Sequence, residues 1–89
     1  MVKENVIVTS PSGLHMRPAN ILAQLASQCS SSITITAGDK VVNPKSLLML
    51  MAAAIPCGAE VMVTCEGAEE EKDLKTIIEA IKSGLGELQ

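Results

Sequence analysis

The chain has 89 residues, seven basic and ten acidic side chains, a net charge of −3, and no Phe, Tyr or Trp. Its length suits one domain, 1–89, and an apolar content of 47 % excludes a disordered chain. Without a basic groove or aromatic platforms a nucleic-acid binder is excluded, and no apolar run reaches the roughly 18 residues of a membrane span.

Val2, Val6 and Val8 share one face of an alternating run with Glu4, while Ile7 points the other way, which predicts a first strand. Ser10-Pro11-Ser12-Gly13 breaks it. A helix is predicted from Arg17-Pro18, because proline is tolerated in a first turn. Leu22, Leu25, Ala26 and Cys29 form its apolar stripe, and Ser30-Ser31-Ser32 ends it. Ile33 and Ile35 alternate with Thr34 and Thr36 as a second strand. Ala37-Gly38-Asp39 turns the chain into a return strand, Lys40-Val41-Val42, which Asn43-Pro44 stops. Ser46 precedes a short helix over 47–54, limited by Ile55-Pro56. Gly58 makes a turn, and residues 60–65 form a fourth strand with Val61 and Val63 on one face. Gly67-Ala68 leads into a last helix, opened by Glu69-Glu70-Glu71, striped by Leu74, Ile77, Ile78 and Ile81, and stopped near Gly84.

The order β-α-β-β-α-β-α points to an α+β two-layer sandwich. Its four-stranded antiparallel sheet carries the helices on one face and is wet on the other. Periodicity does not give the strand order. The core has to be built from Val, Ile, Leu, Met, Ala and Cys, and at this length it buries only about 60–65 % of the unfolded surface. Cys29, Cys57 and Cys65 are odd in number and lack C-x-x-C spacing, so each reads as a small buried hydrophobe. With no apolar leader in the first thirteen residues, a reducing cytoplasm is expected.

The one histidine, His15, stands where a glycine loop meets a helix start, in Gly13-Leu14-His15-Met16-Arg17-Pro18-Ala19. The free N–H groups of a first helical turn make an anion site, and the helix dipole with Arg17 favours the uncharged ring. A neutral imidazole beside groups that hold phosphate can take a phosphoryl group and give it up again. On position alone His15 could equally cap the helix or lie exposed on a loop. A metal site is the weaker reading, since there is no second histidine and the cysteines are dispersed. A Ser-His-Asp triad lacks any strained nucleophile elbow.

Asn43-Pro44-Lys45-Ser46 introduces the second feature. Ser46 is an ordinary N-cap, yet a phosphate there would add charge beside an apolar surface without disturbing the fold. A two-turn helix of Leu47, Leu48, Met49, Leu50, Met51 and three alanines cannot bury every side. Some of Leu47, Leu48 and Met51 are therefore expected as an exposed protein-binding patch.

Together these two motifs, at their separation, resemble the histidine-containing phosphocarrier (HPr) family of the bacterial sugar phosphotransferase system. The similarity runs on through Gly58-Ala59-Glu60-Val61 to Gly67-Ala68-Glu69-Glu70-Glu71. The resemblance implies an open-faced β-sandwich with sheet order 1-4-2-3 and three helices on one side. It implies that His15 accepts phosphate on Nδ1 from phosphorylated enzyme I and donates it to enzyme IIA domains of sugar permeases. Arg17 would then pair with the phosphate, the N–H groups of Met16 and Arg17 would bind its oxygens, and Leu47, Leu48 and Met51 would dock partners. Ser46 resembles the serine modified by a kinase/phosphorylase in low-GC Gram-positive relatives, where it slows transfer and recruits a catabolite-control repressor. No cofactor and no turnover of its own are implied, and a monomer is expected. Met16, Asn20 and Met49 depart from the residues usual in the family, leaving a docking face more apolar and less cationic, with Lys45 and Arg17 as its cations. The alternatives are a regulatory binding module working through Ser46 and residues 47–51, or a small-ligand sensor of similar fold.

Overall fold

β-branched residues alternating with polar ones build the strands, and apolar residues at helical spacing build the helices that cover them. The computed structural model describes residues 1–87. Its elements are β1 (Val2–Ile7), α1 (Met16–Gln28), β2 (Ser32–Ala37), β3 (Lys40–Val42), α2 (Leu47–Ala53), β4 (Glu60–Glu66) and α3 (Glu70–Lys82). The four strands form one antiparallel sheet in the order β1-β4-β2-β3. This is the order the family resemblance implies. The expected span 1–89 exceeds the described residues by Leu88 and Gln89.

Register decides which side of the sheet is dry. Glu4 lies opposite Val63, Val63 opposite Ile35, and Ile35 opposite Val42, a single row across four strands. Neighbouring rows add Val6 with Val61, and Cys65 with Ile33. All of these but Glu4 are buried; on the edge strand its carboxylate still reaches water. Thr34, Thr36, Met62 and Thr64 face the other way and are half-buried, as alternation requires of a sheet covered on one side.

The helices close the dry face. On α3 the expected stripe of Leu74, Ile77, Ile78 and Ile81 is buried, and Leu85 beyond it is buried as well. On α1 the stripe is rotated from the expected one. Pro18, Ala19, Leu22, Ala23 and Ala26 are buried, while Leu25 and Cys29 are half-buried at its margin. Among the described residues no helix is long and apolar enough to cross a membrane.

The cysteines are all free, and only Cys65 is fully buried; burial pushes its thiol up to about 11. Cys57 departs from the expectation and is exposed, because it sits in the turn between Pro56 and Gly58.

One buried charge fastens the far end of the molecule. The Asp73 carboxylate, 4 % exposed, accepts the Ser31 hydroxyl at 2.5 Å and the Ser31 N–H at 3.1 Å. Lys45 donates to the Cys29 and Ser31 carbonyls at 3.2 and 2.8 Å, so the loop before α2 is tied to the same turn. The Ser31 hydroxyl, followed by its N–H, holds the Asp73 carboxyl below the usual carboxylate range against the cost of burial. A carboxyl depressed on folding stabilises the fold above its unfolded value and loses that contribution as pH falls through the folded one. Asp73→Ala is expected to lower the unfolding free energy at pH 7 by about 2 kcal/mol. In urea titrations the gap from the parent should narrow below about pH 4. A gap of the same size at pH 7 and pH 3 would contradict this assignment.

Candidate functional site

The loop between β1 and α1 is shaped by a glycine with nowhere to put a side chain. Gly13 is buried at φ 69, in the left-handed region, where a Cβ would collide with the Ile55 carbonyl oxygen and lie 2.9 Å from Pro56 Cα. Its N–H donates to the Ser10 carbonyl at 2.8 Å, and the buried Ser10 hydroxyl donates back to the Gly13 carbonyl at 2.8 Å. Leu14 follows, fully buried, with its N–H on the Ile55 carbonyl at 2.8 Å. A closed ring of hydrogen bonds thus delivers the chain to His15.

His15 is the N-cap residue of α1, extended at φ −140 and ψ 158, and its side chain caps no amide. The ring is exposed. It lines a groove of about 270 Å³ with Ser12, Ala54, Ile55 and Pro56. Of the positions open from sequence, the structure thus takes a helix-start position with a side chain left free. Hydrogen-bonded turns begin at Met16, but its φ of 54 is left-handed, so helical torsion starts no earlier than Arg17, as the sequence predicts. Such a conformation costs a non-glycine residue of order 1–3 kcal/mol, and it turns the extended chain at His15 abruptly into the helix. Among the described residues, no backbone or side-chain acceptor takes the Met16 or Arg17 N–H. Both amides open the first turn next to the imidazole. The Met16 side chain is 63 % exposed and forms an apolar rim, and Asn20 stands exposed one turn further along the same face.

Arg17 is exposed, and its guanidinium lies along the segment after α3: a Cβ on Gly86 would stand 3.6 and 3.8 Å from its Nε and Nη2. The same segment brings in Glu87. Its carboxylate accepts the Ser12 hydroxyl at 2.6 Å and the Ser12 N–H at 2.9 Å. The Ser12 hydroxyl first, then its amide, with a smaller contribution from the Arg17 charge, hold this carboxyl below the usual range. Neither Ser12 nor Glu87 carries a sequence signal of function. Their 75-residue separation is closed only by the tertiary fold.

α2 links this groove to the second motif. Ser46 caps its start, its Oγ accepting the Met49 N–H at 3.2 Å, as expected. At the other end Ala54 is left-handed, with φ 51, and forms part of the groove beside His15. Lys40 donates to the Ala53 carbonyl at 2.6 Å and so closes that end of the helix. Leu50 and Ala53 face the core, whereas Leu47, Leu48 and Met49 are 38 %, 80 % and 43 % exposed. Met51, expected on the exposed patch, is half-buried against the core, and Met49 stands outside in its place. Lys45 does not offer a free cation to this face, since its ammonium is folded back onto the Cys29 and Ser31 carbonyls.

A family model described as the PTS HPr component phosphorylation site matches residues 2–83. The chain belongs to the HPr family. It is 42 % identical over 77 residues to the phosphocarrier protein HPr of Mycoplasma capricolum, covering 86 % of each chain. Against HPr of Borreliella burgdorferi the identity is 36 % over 83 residues, or 93 % of this chain and 96 % of the other. The crystal structure of HPr-C-His from Thermoanaerobacter tengcongensis superposes along the full length of both chains with a TM-score of 0.94 at 34 % identity. The function is that of an HPr phosphocarrier of the phosphotransferase system, in which a histidine takes up and hands on phosphate. Such a protein moves a phosphoryl group without being an enzyme.

Gly13→Ala tests the loop that positions the imidazole. The clash with the Ile55 carbonyl and the left-handed φ are expected to cost at least about 2 kcal/mol of unfolding free energy. The amide signals of Leu14, His15 and Met16 should shift most in a nitrogen–proton correlation spectrum. A variant with parental stability and unshifted loop amides would show that the close approach is dispensable.

Proposed function

We propose that His15 is the phosphoryl acceptor and donor of this carrier. One observation carries the reading: the chain's one histidine is exposed, bonded to no amide, and set beside two open N–H groups at a helix start. The lone pair on His15 Nδ1 attacks phosphorus. The bond from phosphorus to the donor breaks, its electron pair leaving with the donor, and the second ring nitrogen keeps its proton. The Met16 and Arg17 amides and the Arg17 guanidinium receive the charged oxygens. Donation onward runs the same steps in reverse. Residues 1–89 act as one carrier domain in the cytoplasm, receiving phosphate from phosphorylated enzyme I and passing it to enzyme IIA domains.

The α2 face is the docking surface of this reading, with Leu47 and Leu48 as its exposed anchors and Met51 supporting them from its half-buried position. Ser46 is the regulatory position. Its cap geometry supports this, because a phosphate on Ser46 would sit at the start of α2, next to Leu47, and alter the surface while leaving the core alone. A kinase/phosphorylase and a catabolite-control repressor are the partners this site would meet.

Incubation with enzyme I and phosphoenolpyruvate should add one acid-labile phosphate to the parent chain and none to His15→Ala, as read by intact mass. Equal uptake by both chains would remove His15 from the mechanism. Leu48→Ser is expected to leave stability within about 0.5 kcal/mol, since the side chain is largely solvated. The same change should slow phosphoryl transfer from enzyme I in a stopped-time assay. Unchanged transfer would take Leu48 out of the docking face.

A further inference from the structure

The segment after α3 carries an anion to the edge of the groove that holds His15. Gly84, Leu85 and Gly86 are all left-handed, with φ of 87, 50 and 87, and they turn the chain back across the head of α1. Leu85 is buried beneath this turn and pins it to the core. The turn presents Glu87, whose two carboxylate oxygens take the Ser12 hydroxyl and the Ser12 N–H. Ser12 lines the groove that holds His15, and the Arg17 guanidinium runs along the same turn at Gly86. The Ser12 N–H and hydroxyl would add to the Met16 and Arg17 amides and the Arg17 guanidinium as donors to a phosphoryl group on His15. In this state a carboxylate of the chain itself already holds two of them.

We propose that Glu87 is a built-in competing anion that keeps the phosphoryl group on His15 weakly held and therefore readily transferred. The proposal rests on His15 being the acceptor. Phosphorylation brings a dianion into the groove beside Ser12. The phosphoryl oxygens then either share the Ser12 donors with Glu87 or displace it, and two like charges near each other raise the free energy of the phosphorylated state. Glu87 acts through Ser12 and Arg17 and is a positioning residue.

The test is the equilibrium of phosphoryl exchange with enzyme I at fixed ratios of phosphoenolpyruvate to pyruvate, with phosphorylated carrier measured by intact mass at neutral pH. Glu87→Gln is expected to shift this equilibrium toward the phosphorylated carrier by about five-fold or more. Glu79→Gln removes an equal charge from the exposed side of α3 and should leave it unmoved. In a Ser12→Ala background the Glu87→Gln shift should shrink, because the contested hydroxyl is gone and only the backbone N–H remains. Circular dichroism melts establish that each variant is folded at the assay temperature. An unshifted Glu87→Gln equilibrium, with His15→Ala inert, overturns the competition alone. A shift of equal size in the Ser12→Ala background, or one matched by Glu79→Gln, reduces Glu87 to bulk charge and also overturns it. Phosphate uptake by His15→Ala equal to that of the parent overturns the acceptor reading and this proposal with it.

Discussion

The site depends on the contact between two pieces of backbone, Gly13-Leu14 and Ile55-Pro56. Because Gly13 has no Cβ, the two loops meet at a separation any other residue would forbid, and the Leu14 N–H closes the gap on the Ile55 carbonyl. Val8 and Ala59 extend the contact: the Val8 N–H donates to Ala59 and the Gly58 N–H to Val8, at 2.9 and 2.8 Å. The loops therefore continue the β1–β4 ladder past the end of the sheet. With Leu14 sunk in the core beneath it, the chain at His15 is held by its neighbours, so the ring needs no hydrogen bond of its own to be placed. An acceptor that must bond to phosphorus cannot also spend its lone pair on a cap. Fixing the backbone around a free side chain resolves that conflict.

α2 is the second consequence of the same contact, since its end runs into Ala54-Ile55-Pro56. Seven residues make a helix of about 10 Å, short enough that a partner docked as proposed would meet both Ser46 and the His15 groove. A helix this apolar would be a liability on an isolated surface. Here Leu50 and Ala53 are buried in the core and Lys40 closes the last turn, which leaves Leu47, Leu48 and Met49 outside. Leu48 stands largely in water on the folded carrier, and covering such a side chain in a complex is worth roughly 1.5–3 kcal/mol. That range suits the proposed docking role, in which an encounter has to form and dissolve at each transfer.

Local chemistry carries most of the fold. Alternation and turn residues mark four strands, Asn43-Pro44 and Ile55-Pro56 bound α2, and apolar spacing gives the α3 stripe as far as Ile81. Within the site, the glycine loop and the helix start around His15 were legible because both are sequence-local. What was not legible depends on tertiary partners. α1 turns Ala19, Ala23 and Ala26 inward beside Leu22, a choice of face that spacing alone does not single out among its many apolar residues. Met51 turned in and Met49 out, since a helix apolar on every side offers no contrast from which to read its rotation. Lys45 looks like a free cation in sequence, and only the fold reveals the Cys29 and Ser31 carbonyls that claim it. Ser12 with Glu87, and Ser31 with Asp73, join residues 75 and 42 positions apart, where periodicity carries no information.

The exposure of His15, Met16 and Arg17 follows from what a carrier has to do. Two amides and a guanidinium enclosed in a dry pocket would hold a phosphoryl dianion far more strongly than the same groups in water, because the attraction grows as the surrounding dielectric falls. A catalyst benefits from that strength when it falls on a transition state, but a carrier would be trapped by it in a ground state. With the proposed donors left wet, the site would orient phosphate without burying it. The open side of the groove also lets one partner's acceptor reach phosphorus from the face the previous partner has left. The net charge of −3 works in the same direction, adding a diffuse repulsion to any dianion the chain receives. Modest stabilisation is thus a requirement of transfer in both directions, and an exposed ring at the head of a helix is the simplest geometry that meets it.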